Sequence, residues 1–113
     1  MLQKINRISK NKEFDRIFKT GQSFYSKTLG VKAVKNDLGV SRLGIMINTK
    51  VSKKAVIRNR LRRQIREIFH TELPQLKVGY DLVVIVFSLI LDKDFQEINQ
   101  ILKNTWLKLD LYK

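Results

Sequence analysis

Hydrophobic residues along this chain alternate between helical and strand-like periods. Within residues 50–70, Ile57, Leu61, Ile65, Ile68 and Phe69 share one arc of a 3.6-residue wheel, wide enough to face a core, which predicts a long helix. Ser52 suits its N-cap, which would put Lys53 and Lys54 in the first turn. Upstream, Phe14, Ile17 and Phe18 predict a short helix from about Asn11 to Thr20, stopped by Gly21. Three candidate strands follow: a short one at 23–25, then Leu29–Lys35 and 40–47. The last two flank Asn36, Asp37, Leu38 and Gly39, turn residues that predict a hairpin. Leu73 and Pro74 end the long helix. Residues 80–87 are apolar on both faces and predict an interior strand. Phe95, Ile98, Ile101, Leu102, Thr105 and Leu109 line one side of a final helix over about 94–109, with Asp94 and Glu97 in its first turn, Lys108 in its last and Trp106 as a packing residue. Residues 1–12, basic and without periodicity, predict a mobile arm bearing Lys4, Arg7, Lys10 and Lys12. The order αβββαβα, with one strand–helix–strand crossover and no repeats or linkers, predicts a single α+β domain over residues 1–113.

Charge changes the meaning of the long helix. The 113 residues carry a net charge of +13, and residues 1–70 hold 18 Lys and Arg against 4 Asp and Glu. Residues 71–113 hold 5 against 6, so the whole excess belongs to the N-terminal two-thirds. Arg58, Arg62 and Arg66 recur at i, i+4 and i+8, and Asn59, Arg63 and His70 widen that band on the face opposite the apolar arc. Such a row repels itself in water and is suited to a polyanion. Arg offers paired donors to phosphate and a flat face for bases. Lys53 and Lys54 at a helix start oppose the helix dipole, a conflict that bound phosphate would remove. Phe14 and Phe18, at i and i+4 with Arg16 and Lys19 beside them, suit either plain core packing or a ledge on which unpaired bases stack.

Several kinds of chemistry are missing. There is no cysteine, and the single histidine, His70 at a helix end, suits a surface or capping role. The ten acids are scattered, and Asp92 with Asp94, the one close pair, suits a helix cap. No nucleophile–base pairing, glycine-rich phosphate loop or metal-ligand spacing appears, so no catalytic residue and no metal ligand is assigned. The first residues have no apolar segment, and the longest apolar run, residues 82–91, is half of what a membrane span needs. These features predict a cytoplasmic RNA-binding module. A ribosomal or ribosome-assembly protein would share them. A DNA-binding regulator would need a helix-turn-helix partner before the basic helix, where strands stand instead.

AVIRNRLRRQIRE (55–67) resembles the arginine-rich signature of the bacterial ribonuclease P protein subunit. NRISKNKEFDRIFKTG (6–21) resembles that family's opening, and LGIMINTK (43–50) the strand that leads into the basic helix. The resemblance implies a four-stranded sheet with three helices and a left-handed βαβ crossover, as in the second domain of a small-subunit ribosomal protein. It implies a subunit that binds a large catalytic RNA, the complex cleaving the 5′ leader from precursor tRNA, with Mg²⁺ held by the RNA and substrate and no membrane or dedicated protein partner. On this chain the RNA subunit would be met by Lys53, Lys54, Arg58, Asn59, Arg60, Arg62, Arg63 and Arg66, and the leader by Lys12, Phe14, Phe18 and Lys32. Two departures stand out. Thr49 precedes Lys50 where the family often has two lysines, and Lys32 stands where many members carry an aromatic on the leader-facing strand.

Overall fold

The computed structural model describes residues 2–8 and 11–113. Over them the chain forms α1 (Asn11–Thr20), β1 (Gln22–Tyr25), β2 (Leu29–Lys35), β3 (Arg42–Met46), α2 (Ala55–Glu72), β4 (Tyr80–Val86) and α3 (Phe95–Lys108), with 3-10 turns at Lys4–Asn6, Leu73–Gln75 and Ser88–Asp92. The αβββαβα order is the expected one, and the fold is α+β: three helices on a four-stranded mixed sheet.

Sheet order is β1-β2-β4-β3. The expected β2–β3 hairpin is therefore not a hairpin, because β4 lies between the two strands, antiparallel to β2 and parallel to β3. The turn chemistry is real. Asn36 Oδ1 accepts from the Leu38 N–H at 2.9 Å, and Gly39 takes φ +73°. Apolar demand decides the pairing, since β4 is oily on both faces and is satisfied only in the middle of the sheet.

Each sheet face has its own core. Leu29, Val31 and Ala33 of β2, Leu82, Val84 and Val86 of β4 and Leu43 of β3 pack with Leu61, Ile65, Ile68 and Phe69 of α2 and Ile98, Leu102 and Trp106 of α3. Trp106 meets the Phe69 ring edge-on, with centroids 6.1 Å apart. On the opposite face, Val83, Ile85 and Val34 pack with Ile8 and with Phe14, Ile17 and Phe18 of α1. α3 begins in a capping box: Asp94 Oδ1 accepts from the Glu97 N–H at 2.9 Å, and Glu97 Oε1 accepts from the Asp94 N–H.

Two expectations change at the N-terminus and at the start of α2. Residues 2–8, expected as an unattached arm, are docked: Leu2 and Ile8 are buried, the Ile8 N–H donates to the Leu43 carbonyl at 2.9 Å, and Arg7 bridges to Leu43 along the open edge of β3. Two apolar anchors are too few to show as a period, yet they suffice to cover a sheet edge. Lys10 lies outside the described residues. The N-cap of α2 is Lys54 without a side-chain hydrogen bond, two residues after Ser52. Ser52 Oγ instead accepts from the Lys54 N–H at 3.2 Å, in a turn that tucks Val51 into the core. Lys53 and Lys54 thus precede the helix and do not occupy its first turn. No helix among the described residues is long and apolar enough to cross a membrane.

Candidate nucleic-acid interface

α2 buries its apolar stripe in the main core and turns its cations outward. Asn59, Arg60 and Arg63 are exposed, as are Lys53 and Lys54, while Arg58, Arg62 and Arg66 are half-buried at the rim. Arg58 donates from Nη1 to the Ser52 carbonyl at 2.7 Å, which ties the ladder to the turn before it. Arg62 reaches Asn59 Oδ1 at 3.3 Å. Among the described residues none of the α2 arginines has a carboxylate within ion-pair distance, although the protein pairs other cations, such as Lys103 with Glu72 at 3.3 Å. The charges sit in a row, neither turned inward nor neutralised.

The docked N-terminal segment adds a cation to this surface that spacing alone did not reveal. Arg7 joins Leu2, Arg63, Arg66 and Glu67 around a hollow of about 410 Å³. Partial burial, with the Arg7 and Arg62 charges, lowers the Arg66 pKa from its usual value. An anion in this hollow would relieve that repulsion.

A second candidate surface lies on the other sheet face. Phe14 and Phe18 of α1, with Asp15 and with Met46 of β3, line an open groove of about 470 Å³. The tip of the Phe14 ring rests on Gly44, where an added Cβ would lie 2.7 Å from it, so only glycine admits the ring there. Lys32 spans β2 and α1: its Nζ donates to the Phe18 carbonyl at 3.1 Å and lies 5.7 Å from the Phe18 ring centroid. Both phenylalanines are half-buried, packed against the second core and lining the groove, so both alternatives drawn from their spacing stay open. Lys12 is exposed on the first turn of α1, and the groove lining does not include it.

α1 is held over the sheet by a chain of alternating charge. Asp81, at the start of β4 and fully buried, accepts from Arg42 Nε at 2.9 Å and Nη2 at 2.7 Å and from Asn36 Nδ2 at 2.7 Å, and it pairs with Arg16 of α1. Arg42 also pairs with Glu13 of α1. Burial raises the Asp81 pKa, but hydrogen bonds from Arg42 and Asn36 and the Arg42 and Arg16 charges outweigh it and hold the carboxyl below its usual value. Glu13 and Arg16 bracket Phe14, so the clasp sets the height of the aromatic ledge. Nothing in the sequence marked Asp81, which is 68 residues from Glu13. Among the described residues no three His, Asp or Glu side chains gather as they would around a metal ion.

Comparison with known proteins gives one answer throughout. A family model described as Ribonuclease P matches residues 2–110. The chain is 38% identical over 110 residues to the ribonuclease P protein component of Clostridium botulinum, covering 96% of this chain and 98% of that one. It is 40% identical over 111 residues to the ribonuclease P protein component of Clostridium kluyveri, with the same coverage. Among solved structures it is similar to a Staphylococcus aureus RNase P protein mutant with defective mRNA degradation activity, at TM-score 0.90 and 30% identity over 96% of this chain and 92% of that one. It is also similar to the RNase P protein of Thermotoga maritima, at TM-score 0.79 and 34% identity over 87% and 92%.

Proposed function

Because this chain belongs to the ribonuclease P protein component family, we propose that it binds the catalytic RNA of a ribonucleoprotein endoribonuclease through α2 and takes the 5′ leader of precursor tRNA in the groove beside α1. The observation that carries this reading is the α2 ladder, a row of guanidinium groups without carboxylate partners among the described residues. A row of that kind is stable beside phosphate. Arg58, Asn59, Arg60, Arg62, Arg63 and Arg66, with Lys53, Lys54 and Arg7 at its ends, would meet the RNA backbone. Phe14 and Phe18 would stack on leader bases, and Lys32 would attract the leader's phosphates. Stacking on an aromatic face tolerates any base, as a leader of variable sequence requires.

In this reading the protein contributes charge and position, while Mg²⁺ and the hydrolytic step stay with the RNA. The described residues have no carboxylate cluster for such an ion, so no step is assigned to a protein-bound metal. Enzyme RNA and substrate RNA repel each other, and a domain of net charge +13 at their junction weakens that repulsion. The role is a cytoplasmic one. Two measurements on the complex with its RNA subunit test it. Adding the protein should lower the Mg²⁺ needed for cleavage, and Phe14→Ala should weaken binding of leader-bearing precursor while leaving mature tRNA unchanged. No change in Mg²⁺ demand, or equal loss on both RNAs, would overturn the assignment.

A further inference from the structure

α1 covers only part of its sheet face. In front of it one row of residues crosses all four strands: Tyr25 opposite Gly30, Gly30 opposite Ile85, and Ile85 opposite Met46. At about 4.8 Å per strand spacing the row is roughly 14 Å long, with Ile85 in its middle packed beside the second core. Met46, 41% exposed, belongs to the Phe14–Phe18 groove at one end. At the other end Tyr25, on the edge strand, is 51% exposed. Its ring is not loose. It lies across Gly30, where an added Cβ would come within 2.3 Å of it, and it stacks on Phe87 with centroids 6.5 Å apart and planes 28° from parallel.

We infer that Tyr25, seated on Gly30 and braced by Phe87, is a second base-stacking platform that carries single-stranded RNA across the sheet from the Phe14–Phe18 ledge to the β1 edge. The inference rests on the leader reading above and extends it to a named residue. A rigid aromatic ring with one face supported and one face open gives a base its area at little entropic cost. The charges around it favour RNA over an apolar partner. Lys27 is exposed in the turn after Tyr25, and Lys32, two residues along β2 from Gly30 with its ammonium on the Phe18 carbonyl, adds a second positive charge beside the row. Asp15, in the lining at the Phe14 end, repels phosphate and so turns bases inward there. Direction follows from connectivity. The Met46 end leads through residues 47–54 into the start of α2, so it lies nearer the RNA subunit, and Tyr25 is the distal platform. The Lys32 ammonium is held by the Phe18 carbonyl one row away, and Tyr25 supplies from β1 the aromatic ring that β2 lacks on this face.

The test uses the full chain assembled with its RNA subunit, and precursor tRNAs whose leaders lengthen from one nucleotide to about ten. Tyr25→Ala should leave mature tRNA and the shortest leaders unaffected and weaken the longest about 5- to 10-fold, the lower range for one stacked base. Tyr25→Phe keeps the ring and should stay within about twofold of the parent. The loss from Phe14→Ala should set in at a shorter leader than the loss from Tyr25→Ala. No effect of Tyr25→Ala at any length, equal loss on every RNA including mature tRNA, or a loss as large for Tyr25→Phe would each overturn the inference. If only Tyr25 fails, the leader groove stands and ends before β1. If Phe14→Ala also shows no dependence on leader length, the groove itself is refuted.

Discussion

Asp81→Asn removes one charge from the centre of the clasp and leaves its shape. The carboxylate is fully buried and serves three donors, Asn36, Arg42 and Arg16. Removing one member of a buried charge pair typically costs about 3–5 kcal/mol, because the partner is left desolvated and unpaired. Two features lower that figure here. The Arg16 side chain is 42% exposed, and water screens its share, while Arg42 keeps Glu13 as a second partner. The expected loss is about 2–3 kcal/mol at neutral pH, or roughly 10 °C in Tm for a domain of this size. Trp106, the single tryptophan and fully buried, reports unfolding in a thermal or urea melt. The pH dependence separates charge from packing. Asp81 has a folded pKa below its unfolded one, so its stabilisation is present above about pH 4 and is lost as pH falls through the folded value. The gap between parent and Asp81→Asn should be widest at neutral pH and should close in strong acid. A gap under about 1 kcal/mol at pH 7, or one that persists unchanged at pH 2, would refute the clasp as an electrostatic device.

Arg60→Ala and Arg63→Ala, exposed on α2, should each flatten the plot of log affinity for the RNA subunit against log salt by about 0.7–0.9 for every phosphate left without its cation, with Tm nearly unchanged. An unaltered slope would place both side chains off the RNA. Asp94→Ala removes the cap of α3 and should cost about 1 kcal/mol in urea unfolding with the same denaturant slope; a cost near zero would mean that water replaces the cap.

Local features were legible in the sequence, and long-range ones were not. α1 has the bounds its periodicity and Gly21 predict, and α3 starts where Asp94 and Glu97 signal, because caps and amphipathic stripes are decided within a few residues. β2 versus β3 as partners was not decided locally. Asn36 to Gly39 form the turn they advertise, but the strands part because β4, which arrives 34 residues after β3 ends, needs both neighbours. The α2 cations were visible as a pattern, whereas Arg7 beside Arg63 and Arg66 depends on how Leu2 and Ile8 dock. Ser52 looked like a cap by residue type, yet burial of Val51 delays the helix past it. The clasp joins Glu13, Arg16, Arg42 and Asp81 from three elements, and no spacing rule connects such distant residues.

The central place of β4 sets an order of events during synthesis. β2 and β3 cannot share a sheet until residues 80–86 have left the ribosome, which comes after the whole of α2. For that interval the arginine-rich segment is outside the tunnel with no sheet to seat its apolar stripe, in a compartment crowded with RNA. On the proposed function, a half-made chain would cling to nucleic acid without presenting the row and the groove together, and only the finished chain would tell its own RNA from any other.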